Sequence, residues 1–261
     1  MNDMNIPLWS EAVAQGKTPD VLFWVGCAGS FDARAQKVTR AFCEILNTIG
    51  CDYAILGEEE KCTGDPARRA GNEFLFQMLA VQNIETMNAY GVKKIVCTCP
   101  HCFNTLKNEY PELGGDYDVL HYTQFLNELI QQGKIIPAES VETATLTYHD
   151  SCYLGRINGI YEAPRRVLEA LKYDIRELKR SRQNGLCCGA GGGQMFKEEE
   201  SGDQRINIAR VEEIIKSGEA TVGSNCPFCL TMLSDGLKTK EQQDKVMAYD
   251  LAELVLQNMK K

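Results

Sequence analysis

Cys152, the pair Cys187-Cys188 ahead of Gly189, and Cys226-Pro227-Phe228-Cys229 form a cysteine array with a near copy upstream. The copy consists of Cys27, Cys62 ahead of Thr63-Gly64, and Cys99-Pro100-His101-Cys102. Cys27 lies 125 positions before Cys152, and Cys62 lies 125 before Cys187. Cys99 and Cys102 each lie 127 before Cys226 and Cys229. Four thiols that keep register across two halves constrain the chain to a duplicated architecture in which distant loops meet at one point per half. Four or five converging thiolates are the ligand set of an iron–sulfur cluster or of zinc.

Composition narrows the setting. The 261 residues fit two units of about 125 to 135 residues, and 44% hydrophobic residues suffice for real cores. The net charge of −8 argues against nucleic acid and anionic membrane surfaces as main partners and suits docking onto a basic partner face. No stretch approaches the roughly 18 to 20 apolar residues of a membrane span. The first twenty residues carry acids and lack an apolar core, so they do not read as a signal peptide. The expected setting is therefore the cytoplasm, including a peripheral place at the inner membrane face through a partner. In a reducing compartment, twelve cysteines point to metal ligands before disulfides.

Hydrophobic periodicity gives alternating strands and helices. In the first half, strands are expected at residues 21–25, 53–56, 94–97 and 118–121. Helices are expected at 35–49, 69–90, 104–109 and 123–132. The 69–90 helix carries an apolar stripe of Phe74, Leu75, Met78, Val81, Ile84 and Met87, and Gly91 stops it. The second half repeats the order. Its strands fall at 144–148, 175–178, 220–222 and 246–249, and its helices at 163–171, 202–217 and 251–259. Residues 133–142 read as the linker. The expectation is an α/β chain of two tandem, duplicated halves, 1–135 and 136–261, each with a small parallel sheet covered by helices. Ligands of such sheets sit beyond the carboxyl ends of the strands, where the repeated cysteines fall.

The second array carries the stronger signal. Zinc takes four tetrahedral ligands, and Cys152, Cys187, Cys188, Cys226 and Cys229 make five. Gly189, Gly191, Gly192 and Gly193 let the loop fold tightly and the backbone approach a cluster. The first array has four thiols, Cys27, Cys62, Cys99 and Cys102, because Thr63 stands where the second half has Cys188. That set fits a [4Fe–4S] cubane and also fits zinc. Cys43 and Cys51 read as small buried hydrophobes. Cys97, on a strand two residues before Cys99, reads as structural, with a fifth ligand for the first site as the alternative. His101, and His149 with Asp150, read as packing or local hydrogen-bonding residues, with proton delivery as the alternative. No Gly-Lys-Ser/Thr follows the triple glycine, so a phosphate loop is not read there. No Cys-x-x-Cys-x-x-Cys run of the ferredoxin type occurs, so electrons would have to pass through another chain or domain.

The pattern Cys-x34-Cys-Cys-Gly-x36-Cys-Pro-x-Cys of the second half resembles the cysteine-rich CCG domain. That family includes a heterodisulfide reductase subunit, the lactate-utilisation and glycolate-oxidase iron–sulfur subunits, and the cysteine-rich subunit of anaerobic glycerol-3-phosphate dehydrogenase. The resemblance runs from Cys27 to Cys229 in two copies. It implies a non-cubane [4Fe–4S] cluster on Cys152, Cys187, Cys188, Cys226 and Cys229, and four of five such ligands in Cys27, Cys62, Cys99 and Cys102. Thr63 departs from the pattern. The Cys62-Thr63-Gly64-Asp65-Pro66-Ala67-Arg68-Arg69 variant is similar to regions of bacterial membrane-associated iron–sulfur oxidoreductases that link electron-transfer flavoprotein or organic-acid oxidation to menaquinone.

The resulting expectation is the iron–sulfur subunit of a larger, heterodisulfide reductase-like oxidoreductase, with one [4Fe–4S]-type cluster per half. Cys187 and Cys188 would be the chemical centre for a disulfide or another small substrate, and the first site would relay electrons. A ferredoxin-type, flavoprotein or membrane quinone-linked redox subunit would be the partner. The competing readings are a pure electron-transfer module between a dehydrogenase and menaquinone, and a zinc-stabilised scaffold.

Overall fold

Four consecutive buried residues, Val21, Leu22, Phe23 and Trp24, form β1 (Val21–Trp24). Apolar side chains on both faces are the mark of a parallel strand covered on both sides. The computed structural model describes residues 6–198 and 201–261. Residues 1–5 of the segment weighed as a leader lie outside that range. The chain divides into two units, Met1–Phe125 and Leu126–Lys261.

In the first unit, β1 is joined in parallel by β2 (Tyr53–Ala54), β3 (Lys94–Cys97) and β4 (Asp118–His121), in the order β2-β1-β3-β4. The helices are α1 (Trp9–Ala14), α2 (Gly26–Phe31), α3 (Ala33–Thr48), α4 (Asp65–Arg69), α5 (Glu73–Ala89) and α6 (Pro100–Asn104). They are followed by α7 (Tyr122–Gln131), within which the division falls. The Asp32 carboxylate caps α3 by accepting from the N–H groups of Arg34 and Ala35 at 3.0 and 2.8 Å. That helix buries Val38, Phe42, Ile45 and Leu46. Phe42 meets Phe23 of β1 edge-on at 4.9 Å and Tyr122 at 5.6 Å.

The second unit repeats the layout. Its strands are β5 (Ala144–Tyr148), β6 (Tyr173–Arg176), β7 (Thr221–Ser224) and β8 (Met247–Asp250), parallel in the order β6-β5-β7-β8. The helices are α8 (Glu162–Ala170), α9 (Ile206–Ser217), α10 (Pro227–Thr239) and α11 (Leu251–Asn258). Val222 of β7 packs with Val211 and Ile214 of α9 and with Leu233 and Leu237 of α10. Asp250 and Glu253 close a reciprocal capping box at the start of α11.

The duplication extends to strand register. Leu22 pairs with Ile95 in the first sheet and Thr147 with Val222 in the second. These pairs are related by the same offsets of 125 and 127 that relate the cysteines. In both sheets the chain steps outward from the first strand and then crosses back to its other side. The point where strand order reverses therefore lies between β1 and β3, and between β5 and β7. Crevices at such switch points, beyond the strands' carboxyl ends, are where ligands bind in this class of fold. Cys27 follows β1 and Cys99 follows β3; Cys152 follows β5 and Cys226 follows β7.

The structure changes several details of the periodicity reading. The helix expected over 69–90 is broken: α4 ends at Arg69, Gly71 turns with φ +87°, and Asn72 caps α5 through its side chain. Of the six residues of the expected stripe, two face inward. Ile84 and Met87 are buried with Phe76, Ala80 and Asn83, whereas Phe74, Leu75, Met78 and Val81 are exposed, Phe74 to 76%. The segment is apolar nearly all round, so its spacing did not single out one face. The short helices α1 and α2 were not expected. The helix over 104–109 starts earlier, as α6, and continues as a wider turn over Thr105–Glu109. The helix over 202–217 begins only at Ile206.

Candidate metal centre

Each half builds its site from three cysteine-bearing loops, and the same local devices recur. The glycine of Cys-x-Gly is left-handed in both, at φ +87° for Gly64 and +93° for Gly189, a conformation that favours glycine. This turn aims the glycine N–H back at the sulfur two residues earlier: Gly64 to Cys62 Sγ at 3.5 Å and Gly189 to Cys187 Sγ at 3.3 Å. Cys-Pro-x-Cys behaves likewise in both. Cys99 and Cys226 are the N-cap residues of α6 and α10, a proline follows each, and Cys102 and Cys229 lie in the first turn.

In the second half the five sulfurs form one continuous chain of contacts, Cys152 to Cys187 to Cys188 to Cys229 to Cys226. Cys188, Cys226 and Cys229 are buried with Ala190, while Cys152 and Cys187 are half-buried. Hydrogen bonding within this chain polarises the thiols. Cys187 is held well below the ordinary thiol range, first by the Cys152 and Cys188 thiols that donate to it and then by the Gly189 N–H, against the cost of burial. Cys152 is pushed up by its contact with Cys187 and by burial, Cys188 mainly by its contact with Cys187, and Cys229 by its contacts with Cys188 and Cys226 and by burial. A cationic metal centre held by these residues would favour the thiolate form of the remaining thiols. A side chain beginning on Gly191 would start 3.8 Å from Cys152 Sγ, so the glycine loop leaves room beside that sulfur.

The residues leading into these cysteines suit such a centre. Among the described residues, His149 Nε2, Ser151 Oγ, Ser224 Oγ and both amide atoms of Asn225 are buried without hydrogen-bond partners. They precede Cys152 and Cys226 at the strand ends. Buried polar groups are normally paired; the N–H and O–H groups among these, though not the Asn225 carbonyl oxygen, can donate to thiolate and sulfide. One nitrogen of His149 lies within 4.8 Å of Cys188 Sγ and Cys229 Sγ. Burial and the Arg210 guanidinium push its imidazole down to about 3, so the ring is neutral at pH 7.

The first half brings Cys27, Cys62 and Cys102 together, with Cys99 buried at the start of α6. Cys62 is lowered to about 7, chiefly because the Cys27 thiol donates to it and secondly by the Gly64 N–H, while burial opposes both. Cys27 is pushed up by the same contact, by burial and by Cys102. Thr63, in the place of Cys188, turns its hydroxyl toward Cys102 Sγ at 3.9 Å. A hydroxyl donor thus replaces the fifth thiol. The Glu60 carboxylate accepts from Val25 and Gly26 N–H at 3.0 and 2.6 Å and so ties the loop before Cys62 to the turn that presents Cys27.

Other candidate residues separate cleanly. Cys97 is buried and its thiol faces the Leu120 carbonyl on β4 at 3.8 Å; burial first, and then Cys102, pushes that thiol up. Cys43 is raised to about 11 by burial, which the neighbouring Tyr53 hydroxyl partly offsets. Cys51 is half-buried after α3. His101 is buried, its Nδ1 3.0 Å from Asp65 Oδ2, and Asp65 also holds Arg69 at 3.0 Å. The pair joins the loop of Cys62 to that of Cys102. Asp150 does the corresponding task in the second half. Its two oxygens bind Arg165 at 2.8 and 3.0 Å and accept the Arg182 N–H at 2.7 Å. Sequence reasoning missed Glu60, Asp65, Arg165 and Arg210. Their partners come from distant segments and leave no local periodicity, although Asp65 directly follows the Cys-x-Gly turn.

Comparison with known proteins agrees with this geometry. The chain matches the cysteine-rich domain family CCG over residues 21–107 and again over 146–234. It is 48% identical over 258 residues to the "Probable iron-sulfur-binding oxidoreductase FadF" of Bacillus subtilis, covering 98% of this chain and 36% of that protein. It is 46% identical over 250 residues to the "EtfAB:quinone oxidoreductase" of Syntrophomonas wolfei, with coverages of 94% and 35%. It is 34% identical over 247 residues to one subunit of the dihydromethanophenazine:CoB–CoM heterodisulfide reductase of Methanosarcina barkeri, with coverages of 90% and 58%. The chain therefore spans about a third of the first two relatives. Among solved structures, a hypothetical protein from Helicobacter pylori shares the fold, with a TM-score of 0.56 at 9% identity, over 92% of this chain and 49% of that one. Among the described residues no helix is long and apolar enough to cross a membrane. The repeated cysteine loops, the repeated register and the double match agree: this chain belongs to the CCG cysteine-rich domain family and carries two copies of its domain.

Proposed function

We propose that the chain is the iron–sulfur portion of an oxidoreductase complex. Its domains are 1–135 and 136–261, with one [4Fe–4S]-type cluster in each. The observation that carries this reading is the unbroken chain of contacts among Cys152, Cys187, Cys188, Cys229 and Cys226. Five thiols exceed what tetrahedral zinc uses, and relatives at 48% and 46% identity carry names of iron–sulfur and quinone oxidoreductases.

Cys152, Cys187, Cys188, Cys226 and Cys229 would hold the second cluster, of non-cubane type. Cys27, Cys62, Cys99 and Cys102 would hold the first. When bound, such clusters supply one-electron transfer at a potential set by ligands, hydrogen bonds and burial. The protein's own part is to hold sulfurs from three loops in place, through the Cys-x-Gly turns, the Cys-Pro-x-Cys helix starts, and the Glu60, Asp65 and Asp150 ties. It also keeps water from Cys188, Cys226 and Cys229. Cys152 and Cys187, half-buried, form the side a small substrate would approach, and Cys187 with Cys188 is the chemical centre of this reading. The redox partner is a ferredoxin-type, flavoprotein or membrane quinone-linked subunit.

A pure relay between an electron-transfer flavoprotein and quinone is the second reading, favoured by the name of the relative from Syntrophomonas wolfei. Cys188→Ser separates the two. If the second site does substrate chemistry, the variant loses turnover while retaining most of its iron. If it only relays, electron transfer from reduced donor to quinone persists with a shifted potential. Zinc in place of iron in both variant and parent would remove both readings.

A further inference from the structure

His149 is buried completely, at 0% exposure, and its two ring nitrogens have different fates. Arg210 Nε donates to Nδ1 at 3.0 Å. A guanidinium has only donors, so Nδ1 must present its lone pair, and the ring proton of the neutral imidazole sits on Nε2. Among the described residues that Nε2–H has no partner, although a ring nitrogen of His149 lies within 4.8 Å of Cys188 Sγ and Cys229 Sγ. Arg210 is itself fixed, donating through Nη1 to the Arg180 carbonyl at 2.8 Å and to Glu213 at 3.3 Å, so the tautomer is locked from the α9 side. The same place in the first half holds Trp24, 125 positions earlier, whose indole Nε1–H is also buried with no partner among the described residues. Both halves thus present one ring N–H three residues before their first cysteine.

We propose that His149, held as its Nε2–H tautomer by Arg210, is a hydrogen-bond donor to the sulfur atoms of the second-half cluster and not a ligand of its iron. The inference rests on the iron–sulfur reading above. A protonated nitrogen has no lone pair for a metal, and the lone pair on Nδ1 is occupied. A donor aimed at thiolate or sulfide stabilises the more negative, reduced state and so raises the reduction potential. His149 acts on the cluster through charge, with no bond to iron made or broken.

The test uses the full chain, purified without oxygen, in three forms: parent, His149→Gln and His149→Leu. The amide of glutamine can accept from Arg210 and donate toward the sulfurs; leucine can do neither. Iron and sulfide content come first. Loss of iron from the parent itself is a failure of the iron–sulfur reading and is recognised as such before any potential is measured. With iron bound, His149→Leu should favour the oxidised second cluster about tenfold more than the parent, a fall of about 59 mV for one electron, and His149→Gln should restore most of it. Equal potentials in all three forms would overturn the proposal. Should His149→Leu not fold because Arg210 is stranded, pulsed paramagnetic resonance of the parent labelled with ¹⁵N-histidine decides, with His149→Gln assigning the signal. A weak nitrogen coupling accompanied by a deuterium-exchangeable proton is expected. A coupling of the size of directly ligated nitrogen, or no histidine coupling, refutes it.

Discussion

Arg165→Met should be among the most damaging substitutions that leave every cysteine in place. The Arg165 side chain is 2% exposed and Asp150 is 5% exposed. Their paired bonds of 2.8 and 3.0 Å hold the residue before Ser151-Cys152, while Asp150 also accepts the Arg182 N–H that positions the approach to Cys187. Removing one member of a buried pair strands the other, at a cost of about 3–5 kcal/mol. For a unit the size of Leu126–Lys261, at about 4 °C per kcal/mol interpolated from size scaling, the thermal midpoint should fall by about 12–20 °C. Glu177, the second partner of Arg165, is 37% exposed, so Glu177→Gln should cost no more than about 1 kcal/mol. The double variant Asp150→Asn, Arg165→Met should be more stable than Arg165→Met alone, because no buried charge is left uncompensated. Thermal unfolding followed by circular dichroism, with iron retention measured on the same samples, reads all three. A fall under about 4 °C for Arg165→Met, or a double variant no more stable than Arg165→Met, would count against the buried pair.

Other consequences are as direct. Gly64→Ala should destabilise more than Gly189→Ala: both need a left-handed backbone, at about 1–2 kcal/mol for a side chain, but a Cβ on Gly64 would lie 2.8 Å from Phe76 whereas one on Gly189 meets nothing closer than 3.4 Å. Parallel melts of the two variants check the order. Thr63→Cys places a fifth thiol beside Cys102 and should move the first-half paramagnetic signal toward that of the second half; an unchanged spectrum would show that Thr63 does not face the cluster. In metal-free protein Cys62, lowered to about 7, should be alkylated before Cys27, with its rate rising from pH 6 to pH 8 as the thiolate forms. Peptide mass spectrometry after a short iodoacetamide pulse reads the order, and Cys27 reacting first would contradict it.

The sequence made the repeat legible because cysteines and strand residues share offsets. Offsets of 125 and 127 predict the matching pairs Leu22 with Ile95 and Thr147 with Val222 as well as the thiol arrays. The strands stood out because buried parallel strands read as apolar runs bounded by glycine and cysteine turns. The face of α5 did not, because Phe74, Leu75, Met78 and Val81 are as apolar as the residues that turn inward. Nor did the ties around the sulfurs. Glu60 to Gly26, His101 to Asp65, Arg165 to Asp150 and Arg210 to His149 join segments 15 to 61 positions apart, and only the folded chain pairs them. Thr63 was visible as a departure; that its hydroxyl faces Cys102 was not.

Whether each half gathers its distant thiols around inorganic iron and sulfide is decided by metal and acid-labile sulfide analysis of protein purified without oxygen. Iron and sulfide should be present in equal amounts, about four of each per half, with the second-half complement lost on removing Cys226 and Cys229. One zinc per half with no sulfide would contradict it.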